Sequence, residues 1–200
     1  LLLINPDNPS GNFITMDGVH KLAQWCEENN MRFVLDESFV DFSVGFANNT
    51  FLNNAILEKY PRMCVMKSIS KSYGVPGLRL GILCSADTDV ITKIKKQVSI
   101  WNINSFAQFF MQIYPKYRED YERACYQFIK AREDFELELR KIPFIKVMPS
   151  QANYFFLEVL PPYNPKKLCA ILLKKYNILA SACLAKKGIE PNKYMRIAVR

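Results

Sequence analysis

The chain has 200 residues, of which half are hydrophobic and 23% are charged; 27 Lys and Arg stand against 19 Asp and Glu, for a net charge of +8. That content supplies a core and excludes a mainly disordered chain or a collagen-like repeat. No apolar run approaches the roughly 20 residues that cross a bilayer, and no basic tract, zinc-finger spacing or RNA-binding signature points to nucleic acid.

In chain order, residues 1–4 read as a buried strand. The chain does not begin with Met, so it is expected to start inside a domain. The run Ile197-Ala198-Val199-Arg200 suggests an early end as well. Residues 5–12 form a turn rich in Pro, Asn and Gly. Thr15 is the expected N-cap of a helix to about Asn29, with Val19, Leu22, Ala23 and Cys26 on one face. A short strand over 31–35 ends at Asp36-Glu37. A helix over 51–59, strands from Cys64 and over 78–84, and a helix over 88–98 follow. This alternation predicts an α/β domain with a largely parallel sheet.

After Trp101, read as a packing residue, the pattern changes. Helices are expected over 105–113 and 116–140, the second long and strongly charged. Strands over 144–147 and 153–159, a helix over 165–176 and strands over 178–180 and 194–199 complete an α+β pattern. The expected division is 1–114 for a larger sheet domain and 115–200 for a linking helix and a small C-terminal domain.

The six cysteines are scattered without metal-ligand spacing, which favours a reducing, cytoplasmic compartment and no metal site. His20, the single histidine, sits at a helical position beside Val19 and reads as a core residue.

Ligand sites in open α/β sheets gather at the carboxyl ends of strands. Three such ends are chemically loaded. They are Asn5-Pro6-Asp7-Asn8-Pro9-Ser10-Gly11, then Asp36-Glu37-Ser38-Phe39-Val40-Asp41-Phe42, then Ser68-Ile69-Ser70-Lys71-Ser72-Tyr73-Gly74-Val75-Pro76-Gly77-Leu78-Arg79-Leu80-Gly81. Each alone reads as a turn, a helix cap or a polar loop. In this order they supply what pyridoxal-phosphate chemistry requires. That means a lysine for a Schiff base, an acid for the pyridine nitrogen, a donor for the phenolic oxygen, and hydroxyls with an arginine for a phosphate.

The first motif resembles the N-P-N-N-P-T-G of aminotransferases with the aspartate-aminotransferase type of fold (fold type I), and the third resembles their S-x-S-K-x-F/Y-G-L-x-G-L-R-x-G. Within that family the chain is most similar to histidinol-phosphate aminotransferase and threonine-phosphate decarboxylase. Trp101-Asn102-Ile103-Asn104 and the second motif resemble the decarboxylase branch. Pro149-Ser150-Gln151-Ala152-Asn153-Tyr154-Phe155 and Arg196-Ile197-Ala198-Val199-Arg200 resemble both. The resemblance covers essentially the whole chain and only the later part of a family member.

The resemblance implies pyridoxal 5'-phosphate held by Lys71, with Asp36 on the pyridine nitrogen and Asn8 on the phenolic oxygen. It implies Ser68, Ser70 and Arg79 at the phosphate, Arg196 at the substrate carboxylate, and Asn153 and Arg200 near the substrate. Phe39 stands where many members have Tyr, which removes a donor to the phenolic oxygen. Ser181 stands where many carry Arg. The family's Gly-rich phosphate loop and ring-stacking aromatic are expected upstream of Leu1, so this stretch alone is expected to lack a complete site.

The reading that follows is a homodimeric aminotransferase acting on an amino acid or amino phosphate and a keto acid. Decarboxylation of a phosphorylated amino acid is the alternative. A further alternative is an aminotransferase-like ligand sensor of a transcription regulator, which an upstream helix-turn-helix would distinguish.

Overall fold

The computed structural model describes residues 1–183 and 188–200. Its first sheet runs β1 (Leu2–Ile4), β2 (Phe33–Asp36), β3 (Met63–Ser68) and β4 (Gly81–Cys84), in that spatial order. The first three are parallel, with Leu3 opposite Leu35 and Leu35 opposite Val65. Parallel neighbours need a crossover. α1 (Met16–Glu28) supplies one between β1 and β2, and the short α2 (Asn54–Lys59) lies between β2 and β3.

Both of these helices begin where a short polar side chain caps them. Thr15 Oγ1 accepts from Gly18 N at 3.4 Å, and Asn53 Oδ1 accepts from Ala55 N at 2.9 Å. The apolar face of α1, Val19, Ala23 and Cys26, packs on Phe33, Leu35, Phe51, Tyr60, Met63 and Val65. Each fully buried side chain of this kind contributes roughly 1.5–3 kcal/mol. His20 belongs to this packing: its Nδ1 lies 3.1 Å from Tyr60 Oη and its ring lies against Phe51.

β4 departs from the expected strand over 78–84. Pro76–Leu78 form a 3-10 turn and Arg79 takes a left-handed φ of 54°. The chain reverses there, so β4 starts at Gly81 and pairs antiparallel to β3. Beyond it come α3 (Thr88–Lys95), capped by Asp87, and α4 (Ser105–Ile113), capped by Asn104. Trp101 is 91% exposed, so it is not a packing residue within this chain.

α5 (Arg118–Arg140) leads into a second sheet. Its strands are β5 (Ile145–Val147), β6 (Tyr154–Val159), β7 (Ser181–Ala182) and β8 (Tyr194–Ala198), in the order β5-β6-β8-β7, all antiparallel. α6 (Pro165–Tyr176) crosses between β6 and β7, with Asn164 as cap and Pro165 in the first turn, where its missing N–H costs nothing. The strand expected over 178–180 is displaced to 181–182. Asn177 takes φ 55° and Ile178 N donates to Leu172 O, so both residues close the end of α6. Leu139 of α5 joins Val147, Phe155, Leu157, Val159, Met195 and Val199 in the second core.

Glu37, directly after β2, is 1% exposed. Thr50 Oγ1 donates to it at 2.7 Å and Phe51 N at 2.6 Å. Burial nevertheless raises its pKa above the ordinary 4.5, and the two hydrogen bonds and Lys67 offset this only in part. A raised carboxyl pKa contributes stability that is fully present below about pH 4.5 and is lost as pH rises through the folded value. Glu37→Gln should remove that decrement, so that its stability relative to the native chain rises across this window; unfolding midpoints in urea at several pH values would measure it.

Candidate active site

Because β1, β2 and β3 are parallel, their carboxyl ends lie along one edge. There the structure collects the turn after Ile4, the segment after Asp36 and the loop after Ser68.

The first turn is closed by its own side chains. Asn5 is buried and clasps Ile14 through both amide atoms, at 2.8 and 2.9 Å. Asp7 Oδ2 accepts from Ser10 N and Oγ at 3.2 and 2.5 Å. From the second sheet, Tyr154 Oη donates to Asp7 O at 2.7 Å. Arg196, on β8, donates through Nη1 to Asn8 Oδ1 at 2.9 Å, and its guanidinium lies 4.9 Å from the Tyr154 ring centroid. Burial raises the Tyr154 phenol pKa, with Arg196 lowering it in opposition, so Tyr154 remains a donor.

Gly11 holds this turn against the loop before β6. Its carbonyl accepts from Gln151 N at 2.8 Å, and it takes φ +75°. A Cβ there would lie 2.1 Å from Ser150 Oγ and 3.1 Å from Ser150 Cα. Gly11→Ala should therefore destabilise by about 2–4 kcal/mol, from left-handed strain and forced overlap together. A lowered denaturation midpoint at unchanged m-value would register it.

Asp36 closes β2. Its Oδ1 accepts from Ser38 N and Oγ at 2.8 and 2.5 Å. Ser38 Oγ in turn accepts from Ser68 N at 3.0 Å, joining the ends of β2 and β3. Ser68 Oγ accepts from Ser70 N at 3.3 Å. Arg79 is exposed, with Nη1 donating to Pro76 O at 3.1 Å; it stands two residues before Gly81, the partner of Ser68 across the sheet.

Lys71 follows this serine pair. The residue as a whole is exposed, but its Nζ sits 4.0 Å from the Phe39 ring centroid. Lost hydration lowers its pKa; Asp36 acts in the opposite sense and Arg196 in the same sense. Asp36 and Arg196 are thus both within electrostatic reach of the amine.

Lys71, Asp36, Asn8, Arg196, Ser68 and Ser70 therefore come together at one edge. Arg79 lies two residues from the cross-sheet partner of Ser68, and one expected residue, Arg200, stands apart. Asn153 is half-buried and its carbonyl accepts from Val199 N at 3.0 Å, which ties β6 to β8. Arg200 lines a cavity of about 580 Å³ with Ala131, Phe135, Leu139 and Ile178, which none of the other expected site residues lines. Among the described residues, no group of three or more His, Cys, Asp or Glu is placed to hold a metal.

Sequence reasoning gave no role to four contributors. Asp41 and Lys67 form a buried pair at 2.6 Å, and Ser72 Oγ donates to Asp41 at 2.7 Å. The signal was a carboxylate between two apolar residues, Val40 and Phe42. Arg132 of α5 is 2% exposed. It sits at a core position of the stripe Cys125, Ile129, Arg132, Leu139, a spacing that was available to be read.

The sequence model of the class I and II aminotransferases matches residues 1–199. The chain belongs to that family. Its resemblance to fold-type-I enzymes and the expected α/β fold with a mostly parallel first sheet hold, β4 being the antiparallel exception. The chain is 31% identical over 205 residues to an L-serine phosphate decarboxylase of Sulfurospirillum multivorans, covering 100% of this chain and 51% of that one. The crystal structure of the histidinol-phosphate aminotransferase from Clostridium acetobutylicum superposes with a TM-score of 0.89 at 27% identity, over 100% of this chain and 58% of that one. A decarboxylase structure from S. multivorans gives 0.88 at 30%, over 100% and 51%. The chain spans about half the length of these proteins. Aminotransferases and phosphate-amino-acid decarboxylases both occur among its relatives.

The cofactor of this family is pyridoxal 5'-phosphate. The residues present suit it: an amine of lowered pKa, a carboxylate and serine hydroxyls at neighbouring strand ends, and a guanidinium beside an amide. No helix among the described residues is long and apolar enough to cross a membrane.

Proposed function

We propose that the protein is a pyridoxal-phosphate-dependent aminotransferase, moving an amino group between an amino acid or amino phosphate and a keto acid. The observation that carries this reading is Lys71 at the carboxyl edge of the parallel strands, its charge acted on by Asp36 from one strand end and by Arg196 from the other sheet.

Bound there, the cofactor supplies an electron sink for negative charge at the substrate carbon. Lys71 Nζ anchors it and later moves the proton at that carbon. Its lowered pKa keeps more of the amine neutral at a given pH, which a base requires. Asp36 would keep the ring nitrogen protonated, and Asn8 would donate to the phenolic oxygen. Ser68, Ser70 and Arg79 would hold the phosphate, for which the guanidinium fork of Arg79 is suited. Arg196 exchanges Asn8 Oδ1 for the substrate carboxylate. Asn153 takes a lesser place around the substrate, and Arg200, which lines a separate cavity, takes none. A paired subunit completes the site. The exposed Ile100, Trp101, Phe106 and Phe109 offer apolar surface for such a contact.

The second reading is decarboxylation of a phosphorylated amino acid, favoured by the 31% identity to the L-serine phosphate decarboxylase. Absorbance spectra of the full-length protein with pyridoxal phosphate, before and after L-glutamate, test the first reading. A visible band converted by glutamate to a near-ultraviolet one supports transamination. A band indifferent to glutamate, with carbon dioxide released from phosphoserine or phosphothreonine, moves the assignment to the second.

A further inference from the structure

We infer that Asp41 and Ser72 are positioning residues for Lys71; the inference rests on the proposed role of Lys71. Asp41 lies on the short turn Val40–Phe42 and is buried. Its Oδ1 is 2.6 Å from Lys67 Nζ, and its Oδ2 accepts from Ser72 Oγ at 2.7 Å. Lys67 belongs to β3, whereas Ser72 directly follows Lys71. One carboxylate thus joins the strand to the loop that leaves it.

A buried ion pair is a weak source of net stability, because desolvation offsets its attraction. This pair does something an apolar pair of equal volume would not: it fixes a charged acceptor at the neighbour of Lys71. A hydroxyl-to-carboxylate bond is short, strong and directional. On the other side of Lys71, Ser70 N is held by Ser68 Oγ. One residue further on, Tyr73 stacks on Tyr121 of α5 at 4.2 Å with rings 6° from parallel.

The same turn reaches the amine itself. Phe39, two residues before Asp41, carries the ring beneath Lys71 Nζ. The turn therefore holds Lys71 twice, at the ammonium through Phe39 and at the backbone through Asp41 and Ser72. Attack by an amine depends steeply on its placement, so releasing one of these holds should slow attachment of the cofactor.

Replacing Asp41 would leave Lys67 buried without its carboxylate, so the test acts on Ser72. Cofactor-stripped full-length protein is mixed with pyridoxal phosphate, and the rise of the visible band is timed. Ser72→Ala should slow it about 10-fold. Ser72→Thr, which keeps the hydroxyl, should stay within about 2-fold of the native rate. Asn53→Ala removes the distant cap of α2, lowers stability by about 1 kcal/mol and should leave the rate alone. The inference is overturned if Ser72→Ala is within 2-fold of native, or if Ser72→Thr or Asn53→Ala is slowed as much as Ser72→Ala. A native protein that forms no band overturns the assignment of Lys71, and this inference with it. A native band with an unaffected Ser72→Ala overturns this inference alone.

Discussion

Lys71→Ala abolishes the visible band of the cofactor-loaded protein and lowers turnover by at least about 10³-fold. The two roles proposed for Lys71 would disappear together, the covalent anchor and the base at the substrate carbon, and no other described amine has this placement. Lys67, four residues earlier, is buried and committed to Asp41. The loss would not reflect unfolding. Lys71 is exposed and its one ring contact, with Phe39, is worth roughly 0.5–1 kcal/mol. Its lowered pKa shows that the charge is held at some cost, which offsets part of that contact. Denaturation of the cofactor-free variant should therefore match the native protein to within about 1 kcal/mol. A variant that kept the visible band would sink the assignment.

The largest loss of stability is expected at Arg132. Its guanidinium donates to the carbonyl of Phe42, to Ala152 O at 3.3 Å, and to Gln151 Oε1 at 3.5 Å. Gln151 Oε1 also accepts from Val44 N at 2.8 Å. α5 is thereby joined to the turn that carries Phe39 and Asp41 and to the loop that precedes β6. Arg132→Ala leaves buried carbonyls without a donor and opens a cavity. The guanidinium was itself desolvated, so part of the loss is recovered. The net cost should be about 3–5 kcal/mol. Arg132→Met restores most of the volume but none of the donors, and should recover only the smaller, packing share. Guanidinium chloride unfolding of the three proteins would rank them. Equal stability of Arg132→Met and the native chain would show that packing alone mattered.

Asp36 and Lys71 were legible before the fold because their chemistry is local. Asp36 closes an apolar strand and Lys71 follows the serine-rich loop after the next one, the place where ligand sites of open α/β sheets gather. The helix over Met16–Glu28 was legible through its Thr15 cap and apolar spacing, and those over Ser105–Ile113 and Pro165–Tyr176 were expected at the same bounds. The strand ends near Leu78 and Ile178 were not. A left-handed residue decides each, at Arg79 and Asn177, and neither position is a glycine that would announce it.

The sequence by itself determined the family and the cofactor class, through the resemblance of its short motifs, and most of the helices and strands, because hydrophobic periodicity encodes local conformation. Only the tertiary structure decided which distant residues meet. The Arg196–Asn8 contact spans 188 positions and Tyr154–Asp7 spans 147. The Asp41–Lys67–Ser72 and Arg132 networks depend on burial that no local pattern of charged residues predicts. A charged side chain is placed in a core only when partners from several elements converge on it, and that convergence is a property of packing.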